Sequence, residues 1–193
     1  MTDQEIIEIY KSHSALLKGH FLLSSGMHSD TYLQSALVMQ YPFMAEQLLE
    51  ELAKKIYFYD FSTVLSPAIG GIRVGYEIAR ILRKRSIYAE RVNGEMQLRR
   101  GFKIFEGERI MVMEDVLTTG KSVNEVLNIV KAQGAKPVLV SALIDRSNSA
   151  VSFDIPFIPL LKLNVLTYSP NECPLCKQDL PLVSPGSRHK KSD

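Results

Sequence analysis

Apolar and polar residues along this chain follow a few distinct periods. Residues 3–18 place Ile6, Ile7, Ile9, Tyr10, Leu16 and Leu17 among Glu, Lys and Ser, a helical spacing that breaks at Gly19. The next stretch, GHFLLSSGMHSDTYLQSALV, alternates apolar with small polar residues around a Ser-Ser-Gly turn and predicts a small hairpin outside the main core. From Pro42, PFMAEQLLEELAKKIYFYD carries Pro at a helix start and paired lysines late, as a helix dipole favours. Three short apolar runs follow: TVLS at 63–66, RIMVM at 109–113 and KPVLVSALI at 136–144. None has the polar alternation of a half-exposed strand, so each predicts a strand buried on both faces. Helical patterns, GIRVGYEIARILRKR and KSVNEVLNIVKAQG, lie between them. The order strand, helix, strand, hairpin, strand, helix, strand predicts an α/β fold, a parallel sheet wound on both sides.

The hairpin falls in SIYAERVNGEMQLRRGFKIFEGERI, where Asn93-Gly94 is a strong turn signal and Arg99-Arg100-Gly101 follows, so it predicts a protruding basic arm. The tail after about Leu166 reads as irregular, with its last residues, HKKSD, fraying. The expected organisation is a single domain over 1–193: an N-terminal helix and hood at 1–40, a core sheet and helices at 61–165, and an irregular tail at 166–193.

Composition narrows the function classes. With 193 residues, 46% of them hydrophobic, the chain can bury a core without staples. Lys+Arg 23 against Asp+Glu 21 is too balanced for a general nucleic-acid binder. Its apolar runs fall far short of the ~20 residues of a membrane helix, and its N-terminus is acidic where a signal peptide is basic. A soluble cytoplasmic protein with no nucleic-acid or membrane partner is expected. Cys173 and Cys176 form one C-x-x-C knuckle, which fits a reducing compartment. Structural zinc wants four ligands and no second cysteine pair exists, so the knuckle reads either as a tight turn or as half of a site completed by the partner copy in a dimer. His13, His20, His28 and His189 show no metal-ligand spacing, and no role is assigned to them.

The chemistry concentrates in RIMVMEDVLTTGKS, residues 109–122. A buried strand there ends in two carboxylates and passes through Thr-Thr-Gly into a helix start, and binding sites of open parallel sheets sit at this edge. The turn from Thr118 to Ser122 aims backbone N–H groups and hydroxyls at one anion, a phosphate monoester cradle. Glu114 and Asp115 would repel that anion; they suit ribose hydroxyls or a hydrated magnesium ion. The GKS at 120–122 imitates the end of G-x-x-x-x-G-K-[ST], but that pattern needs glycine where this chain has Asp115.

MVMEDVLTTGKS resembles the phosphoribosyl diphosphate signature of the type I phosphoribosyltransferases. The resemblance implies a Rossmann-like parallel sheet with a small hood, a Mg2+ requirement, and transfer of a 5-phosphoribosyl group with loss of pyrophosphate. GHFLLSSGMHSDTYLQ is similar to the hood motif of the orotate-using branch, SPAIGG at 66–71 resembles its pyrophosphate loop, and LIDRS at 143–147 places Arg146 where that branch keeps an arginine for orotate's carboxylate. AERVNGEMQLRRGF and CPLCKQDLPLVSPGSR resemble a short bacterial subgroup.

Roles follow from the resemblance. Phosphoribosyl diphosphate falls to Glu114, Asp115, Val116, Leu117, Thr118, Thr119, Gly120, Lys121 and Ser122, to Ala68, Ile69, Gly70 and Gly71 around the pyrophosphate, and to Arg91. Orotate falls to Thr118, Arg146, Ser25, Gly26 and Tyr32. No direct metal ligand is assigned; Mg2+ arrives on the substrate, with Asp115 the one candidate to touch it. The family's mobile loop carries Arg-Lys, a further Lys and a His-Gly pair; this chain has Arg91-Val92 and then Arg99-Arg100-Gly101, without histidine. Arg99 or Arg100 is then the candidate to replace the catalytic lysine, beside Asp115. In the family this loop enters the neighbouring subunit's site, which implies a homodimer. From the residues alone, Tyr32 is equally a half-buried core aromatic, Arg146 an ion pair with Asp145, and the arm a solvated hairpin.

Overall fold

A computed structural model of the chain describes residues 1–23, 25–148 and 151–185. Helix α1 (Asp3–Ser12) starts with a capping box, in which Thr2 Oγ1 accepts from the Glu5 N–H at 3.3 Å and Glu5 Oε2 accepts from the Thr2 N–H at 2.7 Å. It ends six residues earlier than the expected 18, because Ser14 takes a left-handed φ of 53° and turns the chain into β1 (Leu16–Leu22). Leu16 and Leu17 thus belong to a strand. Strand β2 (His28–Leu33) pairs antiparallel with β1 to make the hood hairpin. The short α2 (Ala36–Met39) replaces the expected continuation of strand, and α3 (Pro42–Ile56) begins with Pro at its first turn.

Then come β3 (Thr63–Pro67), α4 (Gly70–Leu82), β4 (Arg85–Val92), β5 (Glu95–Leu98), β6 (Arg109–Leu117), α5 (Lys121–Ala132), β7 (Lys136–Asp145), β8 (Phe157–Lys162) and β9 (Thr167–Tyr168). The main sheet runs β5-β4-β3-β6-β7-β8, parallel except for β5 at its edge. Its strands alternate between two apolar layers. Val64, Met111, Met113, Leu139 and Leu143 pack with residues of α1, α3 and α4. Leu65, Ile110, Val112, Val140 and Ala142 pack with Val123, Val126, Leu127 and Val130 of α5. Each such side chain contributes roughly 1.5–3 kcal/mol on burial, which is why the central stretches of β3, β6 and β7 are apolar toward both layers.

The basic hairpin is rooted deeper than a protruding arm: β4 lies in the sheet beside β3, and only β5 forms the edge. Asn93 (φ 49°) and Gly94 (φ 87°) make the tight turn with both residues left-handed. The stretch after Leu98, exposed at Arg99, Arg100 and Gly101, lies outside the sheet. Strand β8 escaped the sequence reading because Pro159 interrupts it, and its edge position tolerates that proline. The tail is more ordered than expected. Strand β9 adds a third strand to the hood, and beyond it the Val183 N–H donates to His20 O at 2.9 Å while Val183 O accepts from the Leu22 N–H at 2.9 Å. The fraying expected at HKKSD lies outside the described residues.

At the amino-terminal edge of the sheet Glu108 gathers three strands. Its Oε1 accepts from Thr63 Oγ1 at 2.5 Å and pairs with Arg85 at 2.7 Å, and its Oε2 accepts from the Phe105 N–H at 2.9 Å. Burial alone would raise this carboxyl, but the Thr63, Phe105 and Arg85 donors outweigh it and hold it below the usual 4.5. Its contribution is therefore present above pH 4.5 and is lost as pH falls through the lower folded value. Glu108→Gln should cost about 1 kcal/mol at neutral pH, after solvent screening, and flatten the acid limb. Urea denaturation of both proteins between pH 3 and 7 (roughly the window of carboxylate titration) checks this; parallel acid limbs would contradict it.

Candidate active site at the carboxyl edge of the sheet

Strand β6 reaches Leu117, so Glu114 and Asp115 sit inside the strand, which extends beyond the 109–113 run that predicts it. Pairing of β6 with β3 stops at Leu65↔Val112, whereas pairing with β7 continues to Leu117↔Asp145. The chain after β3 swings away into α4 and β4 on one side, and the chain after β6 goes to α5 and β7 on the other. A cleft opens between them, at the position where an open α/β sheet reverses its winding.

Two loops line this cleft. Ala68, Ile69, Gly70 and Gly71 run from β3 into α4, and the loop backbone lies against Asp115: a Cβ added at Gly70 would stand 2.4 Å from Asp115 Oδ2. Only glycine permits that approach. Thr118, Thr119 and Gly120 join Val116 and Leu117 to α5. Gly120 caps the helix at φ +69°, and a Cβ there would meet Val151 Cγ1 at 2.8 Å. Thr119 Oγ1 accepts from the Lys121 N–H at 3.4 Å, Thr118 and Thr119 are exposed, Lys121 is exposed and Ser122 half-buried. Because Gly120 has no side chain to offer the first-turn N–H groups, an anion can take them.

Between the loops, Asp115 N–H donates to Glu114 Oε1 at 3.2 Å and Val116 N–H to Asp115 Oδ1 at 2.9 Å. Burial pushes the Glu114 carboxyl well above its usual 4.5, and the Asp115 carboxylate beside it pushes the same way. The edge thus offers oxygen acceptors to hydroxyls, or oxygen ligands to a hard cation, between the two loops.

Arg146 follows β7 directly, and its N–H donates to Leu117 O at 2.8 Å. Its guanidinium is half-buried, its Nε has no hydrogen-bond partner, and among the described residues no carboxylate forms an ion pair with it. Burial pushes this group down from its ordinary value, with the Tyr32 hydroxyl of β2 acting in the opposite direction. Ser25 and Gly26 form the hood's tip, Gly26 at φ +82° with its N–H donating to Leu23 O at 2.9 Å. The alternative pairing of Arg146 with Asp145 is not formed; Asp145 Oδ1 accepts from the Ser147 N–H at 2.9 Å.

The basic hairpin is divided. Arg91 pairs with Glu125 of α5. Arg100 pairs with Glu90 at 3.0 Å and lies 5.9 Å over the Tyr88 ring. Arg99 is exposed and makes no ion pair among the described residues. Among the described residues no contact joins these arginines to Glu114 or Asp115.

One grouping joins residues that the sequence reading kept apart. His20 and His28, assigned no role, converge with Cys173 and Cys176 so that their donor atoms lie within 4.8 Å of one another. Two further donor atoms thus stand beside the cysteine knuckle within the same chain. The signal was available: a hairpin turning at Ser25-Gly26 sets residues 20 and 28 on adjoining strands. His189 lies outside the described residues.

A doubly wound sheet with a phosphate turn, an acidic pair and a glycine loop at one edge defines a sugar-phosphate-binding α/β protein. A phosphoribosyl transferase domain matches residues 36–168. The orotate phosphoribosyltransferase of Caldanaerobacter subterraneus subsp. tengcongensis is 48% identical over 188 residues, 97% of this chain and 99% of that protein, and the one from Thermotoga maritima is 50% identical over 186 residues, 96% of this chain and 100% of that protein. Among solved structures, the orotate phosphoribosyltransferase of Aeropyrum pernix aligns with a TM-score of 0.71 at 22% identity, over 82% of this chain and 93% of that one, and shares the fold. The chain belongs to the phosphoribosyl transferase family, among the orotate phosphoribosyltransferases.

A raised Glu114 contributes stability that is present below pH 4.5 and is lost as pH rises through the higher folded value. Glu114→Gln, which cannot ionise, should match the parent near pH 4.5 and exceed its Tm above that, by about 2–4 °C for each kcal/mol relieved. Thermal melts of the ligand-free protein across this range test it. A variant that loses stability at high pH would show that Glu114 is ionised and well paired.

Proposed function

We propose that this chain transfers the 5-phosphoribosyl group from phosphoribosyl diphosphate to a ring nitrogen of orotate, giving orotidine 5′-monophosphate and pyrophosphate in pyrimidine synthesis. The observation that carries the acceptor is Arg146: a half-buried guanidinium without a carboxylate partner among the described residues, held beside the turn that follows Leu117. Its planar fork suits a carboxylate in a bidentate pair, which lysine cannot copy.

As the bond to pyrophosphate loosens, positive charge grows on the sugar and negative charge on the leaving group, so catalysis is positioning plus electrostatic stabilisation. Thr118, Thr119, Gly120, Lys121 and Ser122 hold the 5′-phosphate, with Val116 and Leu117 setting the loop's origin. Glu114 and Asp115 take the ribose hydroxyls, and Ala68, Ile69, Gly70 and Gly71 present backbone amides to the pyrophosphate. Deprotonated orotate carries its own nucleophilic nitrogen, so no enzyme nucleophile is required. Thr118 faces the base; Tyr32, Ser25 and Gly26 close over it from the hood.

The donor set fits Mg2+: Asp115 and Glu114 offer hard oxygen ligands, and the crowding that raises Glu114 is what a divalent cation relieves. Bound with the diphosphate, the ion supplies charge neutralisation of the leaving group, and Asp115 is the residue that would hold it.

Among the hairpin arginines, Arg99 carries the leaving-group role because Arg100 and Arg91 are already engaged by Glu90 and Glu125. The exposed position of Arg99 on an edge hairpin fits action across a homodimer, and the enzyme works in the cytoplasm. Among the described residues no helix is long and apolar enough to cross a membrane.

The test follows orotate absorbance with purified protein, phosphoribosyl diphosphate and Mg2+, with uracil, adenine, hypoxanthine and xanthine as rival acceptors. Mg2+-dependent consumption of orotate alone is expected; consumption of another base would overturn the role of Arg146. Arg146→Lys should raise the KM for orotate at least tenfold (about 1.4 kcal/mol) and leave that for phosphoribosyl diphosphate nearly unchanged. Arg99→Ala should lower kcat by roughly 100-fold or more, against a smaller loss for Arg100→Ala; the reverse ranking would transfer the role to Arg100.

A further inference from the structure

Four soft or borderline donors meet where the tail crosses the hood. His20 Nε2 lies 2.9 Å from His28 Nδ1, 3.5 Å from Cys173 Sγ and 3.7 Å from Cys176 Sγ, and Cys176 Sγ lies 3.3 Å from His28 Nδ1. For Zn–N of about 2.0–2.1 Å and Zn–S of about 2.3 Å, a tetrahedron has N···N edges of about 3.3 Å, N···S edges of about 3.6 Å and S···S edges of about 3.8 Å. The observed separations cluster around those edges, and all donors fall within 4.8 Å of one another.

The protonation pattern points the same way. His20 Nδ1 lies 2.8 Å from Leu180 O, and a carbonyl only accepts, so the ring proton sits on Nδ1. The lone pair of Nε2 is then aimed into the cluster. A carbonyl that fixes the tautomer of a ligating imidazole is a common outer-shell arrangement at metal sites. His20 is 3% exposed, His28 5% and Cys173 1%, so these polar groups have been withdrawn from water around a shared centre. Among themselves the rings share one hydrogen bond at 2.9 Å, and the thiols meet them only through weaker sulfur contacts at 3.3–3.7 Å.

We propose that His20, His28, Cys173 and Cys176 bind one structural Zn2+ per chain. Two thiolates neutralise the ion's charge, so the filled site carries no net charge in its buried position, and both thiol protons leave to solvent on binding. Tetrahedral S2N2 ligation selects zinc over the hard cations that suit the carboxylate edge. No fifth donor position is left for substrate, so the role is structural. The ion ties the C-x-x-C turn, at 173–176, to both strands of the hood hairpin, whose tip runs between the two histidines. The tail is thereby fastened across the hood, continuing the β2–β9 pairing and the Val183 bonds.

The untagged full-length protein, purified without chelator, should carry one equivalent of zinc by elemental analysis. Stripping the metal should lower Tm by roughly 5–10 °C, restored by stoichiometric zinc. Cobalt titrated into the stripped protein should show thiolate charge-transfer absorption and the intense visible bands of tetrahedral coordination. Cys176→Ser, at the exposed member of the set, should lose the zinc, whereas His13→Ala, a histidine outside it, should keep it. If Cys176→Ser fails to fold, the cobalt spectrum of the parent still decides. Iron in place of zinc, a Cys173–Cys176 disulfide in freshly purified protein, weak octahedral cobalt bands, or a Tm indifferent to zinc would each overturn the proposal.

Discussion

Strand β6 must be buried on both faces along most of its length and yet bring two half-buried carboxyl groups to the edge of the sheet at its end. That demand organises the molecule. Ile110, Met111, Val112 and Met113 alternate between the two apolar layers, so the strand needs helices above and below it and a parallel neighbour on each side. Once β3 turns off after Pro67, β6 continues with only β7 beside it, and the vacated flank is where Glu114 and Asp115 emerge. The Gly70 backbone then fills the space against Asp115, so the pyrophosphate-type loop and the acidic pair are fixed by one packing contact.

The two edges of the sheet treat a glutamate in opposite ways. Glu108 at the amino-terminal edge is surrounded by donors, is held ionised, and ties β3, β4 and β6 together. Glu114 at the carboxyl edge has a carboxylate for a neighbour, loses water, and is held toward its neutral form. The first arrangement strengthens the fold as it stands. The second is an unfavourable arrangement in the unliganded protein, of the kind expected where a ligand is to bind. Arg146 matches it with the opposite charge: a partly desolvated guanidinium whose Nε has no partner in the protein among the described residues, as the proposed carboxylate substrate requires.

Much of this was legible in the chain. Unbroken apolar runs mark β3, β6 and β7 because strands covered on both faces leave no polar positions, and the E-D-x-x-T-T-G turn marks the edge by chemistry that a plain connection would not need. The losses have physical causes. Leu16 and Leu17 continue the helical spacing of α1 by coincidence, and a left-handed Ser14, favoured by nothing in the composition, ends the helix. Strand β8 hides behind Pro159, and β9 is too short to carry a period. The ion pairs that engage Arg91 and Arg100 depend on side-chain reach to Glu125 and Glu90, which spacing does not encode.

The hood illustrates what a sequence reading loses when it treats segments one at a time. A two-stranded hairpin is marginal by itself in water, and this one must stay closed against the entropy of its own tip. The chain solves this from 140 residues away: β9 pairs with His28 and Ser29, Ser29 Oγ donates to Leu166 O at 2.8 Å, and Val183 bonds to both sides of Phe21. Hydrogen bonds of an exposed tail are individually weak, on the order of 1 kcal/mol each. The proposed site, drawing its ligands from both hairpin strands and from the tail, makes their closure a single cooperative event, so the shape of the hood is held by long-range closure as well as by local propensity.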